Sequence, residues 1–236
     1  MTVLLLRLAG PLQSWGTSSR FIRRTTEDAP SKSGIIGLLA AAHGRRRSDS
    51  IEDLVNIRLG VRIDQPGSLL RDFQSALKAG ESNASISHRY YLSDAAFLVA
   101  LEGDRALLQG MAEALRHPVF QLSLGRRSCP PAGPLLIGLR DGSLESVLRS
   151  HRWIASTGHQ NKHRDRSFRV ATVTDCAVGT AGSELLRDEP ISFDPIRREY
   201  GWRSVLRSHV TIDHPFAPAG SLPEHDPMAA LEFPCT

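Results

Sequence analysis

The order of strand-like and helix-like stretches is the tightest constraint on how this chain can fold. Residues 3 to 8 read as a strand. "SKSGIIGLLAAAHG" reads as a helix: Ser31 or Ser33 caps it, Ile35, Ile36, Leu38 and Leu39 supply its apolar surface, and Gly44 ends it. Gly34 and Gly37 lower its helix propensity and point to close packing or a nearby ligand. "SDSIEDLVN" is a second short helix. "IRLGVRID" alternates Ile57, Leu59, Val61 and Ile63 with polar or small residues, as a half-buried strand does. "DAAFLVALEG" is another strand. "DRALLQGMAEALRH" is an amphipathic helix with Leu107, Leu108, Met111 and Leu115 at helical spacing and Pro118 beyond its end. "VFQLSLG", residues 119 to 125, returns to strand. Strand, helix, strand, strand, helix, strand is the ferredoxin-like order, and its connections satisfy the right-handed crossover rule. The expected class is α+β.

Two regions lie outside that order. Residues 71 to 91, "RDFQSALKAGESNASISHRYY", hold too few large apolar side chains to bury much surface, so they form an extended hairpin or arm leaving the core. From residue 134 on, a strand "PLLIGLR", a short helix "SLESVLRSH" and strands near "SFRVATVTD" and "SVLRSHVTID" suggest a small β-rich lobe, placed over 141–220. Residues 221–236 read as a disordered tail.

Of 29 basic residues, three are lysines (Lys32, Lys78, Lys162) and 26 are arginines. Arginine's planar fork suits phosphate and stacks on bases. The formal charge of +4 becomes +7 over residues 1–220 once the three carboxylates of the tail are set aside. No apolar run approaches a membrane span, and the N-terminus lacks a signal-peptide pattern, so a cytoplasmic protein without membrane contact is expected. Cys129, Cys176 and Cys235 show no metal spacing. "HRWIASTGHQNKHRDR", residues 151–166, reads as a basic RNA-facing or solvated loop: His159 and His163 are four apart, as on one helix face, but Gly158 and Asn161 disfavour a helix there, so no metal set is formed. No metal and no cofactor are expected.

Three stretches carry binding chemistry. "LGRRSCPP" places Gly125, Arg126, Arg127 and Ser128 in one turn, which reads as a phosphate clamp or as a solvated basic turn. "SRFIRRTTEDAPSKSG" brings Arg20, Arg23, Arg24 and Lys32 to a helix start, where free N–H groups favour anions; an ordinary serine cap is the other reading. "SHRYYL" offers His88, Arg89, Tyr90 and Tyr91 for base stacking, packing, or acid–base chemistry on RNA.

"LRLAGPLQSWG", "PSKSGIIGLLAAAHG", "RDF" before the polar insert and "LGRRSCPP" occur in the order found in the Cas-five-type subunits of the type I-E CRISPR Cascade complex, members of the repeat-associated RNA-binding (RAMP) superfamily. The resemblance runs from about residue 2 to residue 140. It implies a ferredoxin-like (RRM-like) domain over 1–140 with an inserted thumb near 71–91. It implies a non-catalytic subunit that binds the 5′ handle of the guide crRNA and caps a filament of CasC subunits in antiviral defence. The large CasA subunit is a further partner, and target DNA is approached through the complex. Carried over by motif are Trp15, Lys32, Ser33, Arg126, Arg127 and Ser128 as RNA contacts. Gln13 and Trp15 either meet the handle or a neighbouring subunit, or Trp15 packs under the Gly125–Ser128 turn. Arg71, His88 and Arg89 are proposed thumb contacts on chemistry alone. The alternative is a metal-independent endoribonuclease acting on repeat RNA through His88, Tyr90 or Tyr91, and Lys78.

Overall fold

The computed structural model describes residues 1–17, 23–77, 80 and 85–214. The expected tail, Arg20 and Lys78 lie outside them, as does the side chain of Arg23. The elements in chain order are β1 (Thr2–Ala9), β2 (Leu12–Gln13), β3 (Arg23–Arg24), α1 (Lys32–Ala42), α2 (Glu52–Val55), β4 (Arg58–Gln65), β5 (Ser68–Ala76), β6 (Ser85–Ser93), β7 (Ala96–Gly103), α3 (Arg105–Arg116), β8 (Leu136–Asp141), α4 (Leu144–Ser150), α5 (Thr157–Gln160), β9 (Ser167–Asp175), β10 (Glu184–Ser192) and β11 (Glu199–Asp213). The class is mixed α and β, and the main sheet is antiparallel.

β1 explains the layering. Its side chains alternate between faces, and it is apolar at nearly every position, so both faces must be covered. Leu4, Leu6 and Leu8 join one core with α1 and α3, whereas Val3 and Leu5 join a second core with Leu144, Val147 and Leu148 of α4. β7 divides in the same way, Phe97, Val99 and Leu101 to the first core and Leu98 and Ala100 to the second. Gly60 of β4 lets α4 settle onto the sheet: a Cβ there would stand 2.4 Å from Leu144 Cδ2. The first core is the larger, and α3 supplies Leu108, Met111, Ala112 and Leu115 to it. Asp104 starts α3 by accepting from Leu107 N at 3.0 Å.

The main sheet has seven strands in the order β10-β11-β9-β4-β7-β1-β8. Two expectations need correction. The strand beside β1 is β8, not residues 119–125. Residues 119–125 form an irregular segment fastened at both ends. Val119 N and Phe120 N donate to the last turn of α1, and the Leu124 carbonyl accepts from Ser14 N at 3.1 Å. Burying Leu122 and Leu124 satisfies this segment without strand pairing. The strands assigned to a separate lobe also join the main sheet, because β9 pairs with β4 through Gly60↔Thr174, Val61↔Val173 and Arg62↔Thr172.

β5 and β6 form the hairpin expected of the 71–91 insert, registered from Ser68↔Ser93 to Ala76↔Ser85. Nearly all of β5 is exposed. β6 also pairs with β2 and, in parallel, with β3, which fixes Arg24 opposite Arg89.

Candidate nucleic-acid interface

An open groove of about 690 Å³ runs beside the start of α1. One wall is the helix itself, through Ser31, Ser33, Gly34 and Gly37. Arg45, Arg46 and Arg47, just past the helix, continue that wall. Gly125, Arg126 and Arg127 form the second wall, and Phe193, Arg198 and Tyr200 the third. Among the described residues seven arginines line the groove, Arg24 included, and no carboxylate does. Cations gathered at this density repel one another wherever a carboxylate does not pair with them, and a polyanion relieves that repulsion.

The arginines are held differently. Arg45 forks onto both oxygens of Asp53 at 2.5 Å. Hydrogen bonding from Arg45 holds the Asp53 carboxyl below the usual carboxylate range, against a smaller opposing effect of burial. The Arg45 guanidinium is raised in turn, mainly by the same bond. Arg126 is aimed by its neighbours. Its Nη2 donates to the Arg24 carbonyl at 2.8 Å, and its guanidinium lies 4.8 Å from the centre of the Tyr91 ring. Its Nη1 is buried and meets no hydrogen-bond acceptor among the described residues. A desolvated donor in that state favours an incoming acceptor. His88 Nδ1 and Arg89 Nε on β6 are in the same condition. Arg127 and Ser128 are exposed.

The turn carrying Arg126 tolerates only glycine at its head. Gly125 has φ +85°, and a Cβ there would stand 1.8 Å from the Ser14 carbonyl oxygen. Beneath lies Trp15, 1 % exposed, whose Nε1 donates to Gln13 Oε1 at 3.1 Å. Gln13 in turn donates to the carbonyls of Leu8 and Ala95, at 3.2 and 2.8 Å. Gly34 rests on the same indole: a Cβ there would meet Trp15 Cε3 at 2.8 Å.

The third wall is fixed by a buried ionic cluster. Lys32 Nζ lies 3.3 Å from Asp175 and 3.0 Å from Glu189, and Lys32 N donates to Asp188 at 2.7 Å. Arg203 forks onto Asp188 at 2.6 and 2.9 Å and also pairs with Asp175. Burial alone pushes the Arg203 guanidinium down, but Asp188 and Asp175 outweigh it and raise it overall. The first residue of α1 is thereby tied to β9, β10 and β11, and the β10–β11 connection is held across the helix start.

The family model described as "CRISPR-associated protein (Cas_Cas5)" matches residues 3–206. The chain belongs to the Cas5 family of CRISPR-associated proteins. Over 156 residues it is 36% identical to the CRISPR system Cascade subunit CasD of Escherichia coli (strain K12), covering 57% of this chain and 70% of that protein. A solved structure described as "Crystal structure of Cas protein" matches with TM-score 0.69 and 36% identity, covering 92% of this chain and 98% of the other. A chain of a "CRISPR RNA-guided surveillance complex" matches with TM-score 0.74 and 31% identity, covering 89% and 91%.

On this Cas5 scaffold the residues singled out by sequence divide into three groups. Arg24, Ser33, Arg126 and Arg127 line the groove. Gln13 and Lys32 spend their polar groups inside the protein, which corrects the expectation of RNA contact for their side chains, whereas Trp15 lines the groove from below with its Nε1 bonded to Gln13. Trp15 packs under the Gly125–Ser128 turn, and Lys32 spends its charge on Asp175 and Glu189. Arg71, His88 and Arg89 belong to the β5–β6 hairpin, where Arg71 is exposed opposite Tyr90 and the His88 ring tilts on Phe73 at 5.5 Å. Tyr91, offered for acid–base chemistry, is buried beneath Arg126. Sequence reasoning missed Arg45–Arg47, Phe193, Arg198 and Tyr200. The "GRRR" run after α1 was a usable signal; nothing local marked Arg198 or Tyr200.

Proposed function

We propose that this chain is the Cas5-type subunit of a type I-E Cascade-like surveillance complex and that its arginine groove captures the single-stranded 5′ handle of a guide crRNA. The observation that carries the reading is that, among the described residues, seven arginines and no carboxylate line one groove, interleaved with Phe120, Phe193 and Tyr200. Single-stranded RNA needs both parts: cationic forks for its backbone and ring faces for unstacked bases. The role is binding and assembly, without catalysis. The scaffold fits a ferredoxin-like core, since β8-β1-β7-β4 reproduces the 4-1-3-2 strand order of two crossover units. The β5–β6 hairpin is then the thumb. CasC-type backbone subunits, a CasA-type large subunit and, through the complex, target DNA are the proposed partners, in the cytoplasm.

The test is the double variant Arg126→Ala/Arg127→Ala with handle-length RNA. Affinity should fall, and the log–log salt slope should flatten by roughly 0.7 per lost phosphate contact. Unchanged affinity and slope would remove the turn from the site. Repeat RNA incubated with pure protein and chelator should remain intact; cleavage beside the handle would replace the binding role with that of a nuclease.

A further inference from the structure

A second run of basic residues starts at the end of α4, the helix that packs on the opposite side of the main sheet from α1. Arg149, Arg152, Lys162, Arg164 and Arg166 fall within eighteen residues that contain one carboxylate, Asp165. All five are exposed, and among the described residues none forms an ion pair. Arg140 of β8 joins them: with Arg62 and Arg152 it adds to the burial that holds the His151 imidazole below its ordinary range, Asp64 opposing.

The surface is built on a rigid base. Arg62 is fully buried and donates to the carbonyls of Leu148, His151 and Arg152, at 2.5, 2.7 and 2.9 Å. Its charge is balanced by Asp64, which it forks at 2.6 and 2.8 Å. Asp64 also accepts from Ile154 N at 2.8 Å, and its carbonyl accepts from Trp153 Nε1 at 2.8 Å. The segment that ends α4 is therefore pinned to β4 from below, and Arg149 and Arg152 project from a fixed backbone. The aromatic groups of the region face inward: Trp153 is 3 % exposed and packs edge-on against Phe168, ring centroids 4.3 Å apart.

From these observations we infer that the α4 face is a second nucleic-acid site, one that takes the phosphate backbone of a DNA duplex independently of base sequence. Charge without exposed aromatic faces suits a paired helix, whose bases are already stacked, rather than a single strand. Arginines unpaired with carboxylates suit phosphate oxygens. α4 packs on the second core and α1 on the first, so a duplex here and an RNA in the groove occupy different faces of the sheet. The inference does not rest on the identity of the groove's ligand.

The experiment measures binding of a fluorescent 24-base-pair duplex of arbitrary sequence by the full chain across a salt series. The variant Arg149→Glu/Arg152→Glu should weaken duplex binding at least tenfold. Arg149→Gln/Arg152→Gln should flatten the salt slope by about 0.9 for each lost contact. Both should leave binding of handle-length RNA unchanged, and the glutamine pair keeps the test valid should the charge-reversed chain fold poorly. Arg126→Ala/Arg127→Ala should do the reverse, and saturating unlabelled RNA should not displace the duplex. Absence of duplex binding at low salt, displacement of duplex by RNA, or duplex binding that ignores Arg149 and Arg152 would overturn the proposal.

Discussion

Single residues decide whether the groove keeps its shape. Gly34→Ala drives a methyl group into the Trp15 ring, and the overpacking should cost about 1–3 kcal/mol, read as a lower urea midpoint. Arg127→Ala, on an exposed side chain, should leave that midpoint unchanged while RNA binding weakens. Two imidazoles add to the acid sensitivity of the fold. Burial holds His151 below its ordinary range; burial, then His163 and Lys162, do the same to His159, with Asp94 opposing. An unfolded imidazole takes its proton near pH 6.5, before the folded one does. Stability contributed by these groups is present above about pH 6.5 and is lost as pH falls through the folded values. Urea midpoints between pH 7.5 and 5 should therefore decline, and His151→Gln with His159→Gln should flatten that decline. At this scale the exposed turn was legible, because two arginines after a glycine at an element end announce themselves. The burial of Gln13 and Lys32 was not, because their environments depend on distant partners: Asp175 and Glu189 reach Lys32 across more than 140 residues.

Elements were legible where a local period governs them. Ser31 caps α1 and Asp104 caps α3, as side-chain chemistry demands, and the exposed β5 follows from an insert poor in apolar groups. Periodicity misplaced the fourth strand because Val119–Leu124 alternates like a strand but finds its hydrogen bonds in α1 and Ser14. The β10–β11 connection is an element whose placement rests on the Lys32–Asp175–Asp188–Glu189–Arg203 cluster. Asp188→Asn strips Arg203 of its forked partner and should cost about 3–5 kcal/mol, as removing one member of a buried pair does. In the same variant Arg198→Ala should lose most of its effect on RNA affinity, since the wall carrying Arg198 is no longer held; a double-mutant cycle reads the coupling. Replacing residues 74–87 by a short Gly/Ser linker should keep the thermal midpoint of the full chain, because β5 adds little buried surface.

The whole molecule is organised by a continuous seven-stranded sheet, and the seam between β4 and β9 joins its N-terminal and C-terminal strands. That seam was invisible to local reading, since no periodicity states which strand edge another will meet. Residues 1–140 expressed alone should aggregate, because they leave the β4 edge unpaired, Arg62 without its three carbonyls and Lys32 without its carboxylates. Residues 1–214 should remain soluble; the sedimented fraction of each distinguishes them. The same seam has a consequence for biosynthesis. The partner of β4 is translated roughly 100 residues later, which at 5–20 residues per second leaves an unpaired edge waiting for about 5–20 s. Throughout that wait the nascent chain carries a template for pairing with its neighbours on the same polysome. Synonymous changes that slow elongation between codons 66 and 166 should therefore reduce the soluble yield of a protein whose amino-acid sequence is untouched.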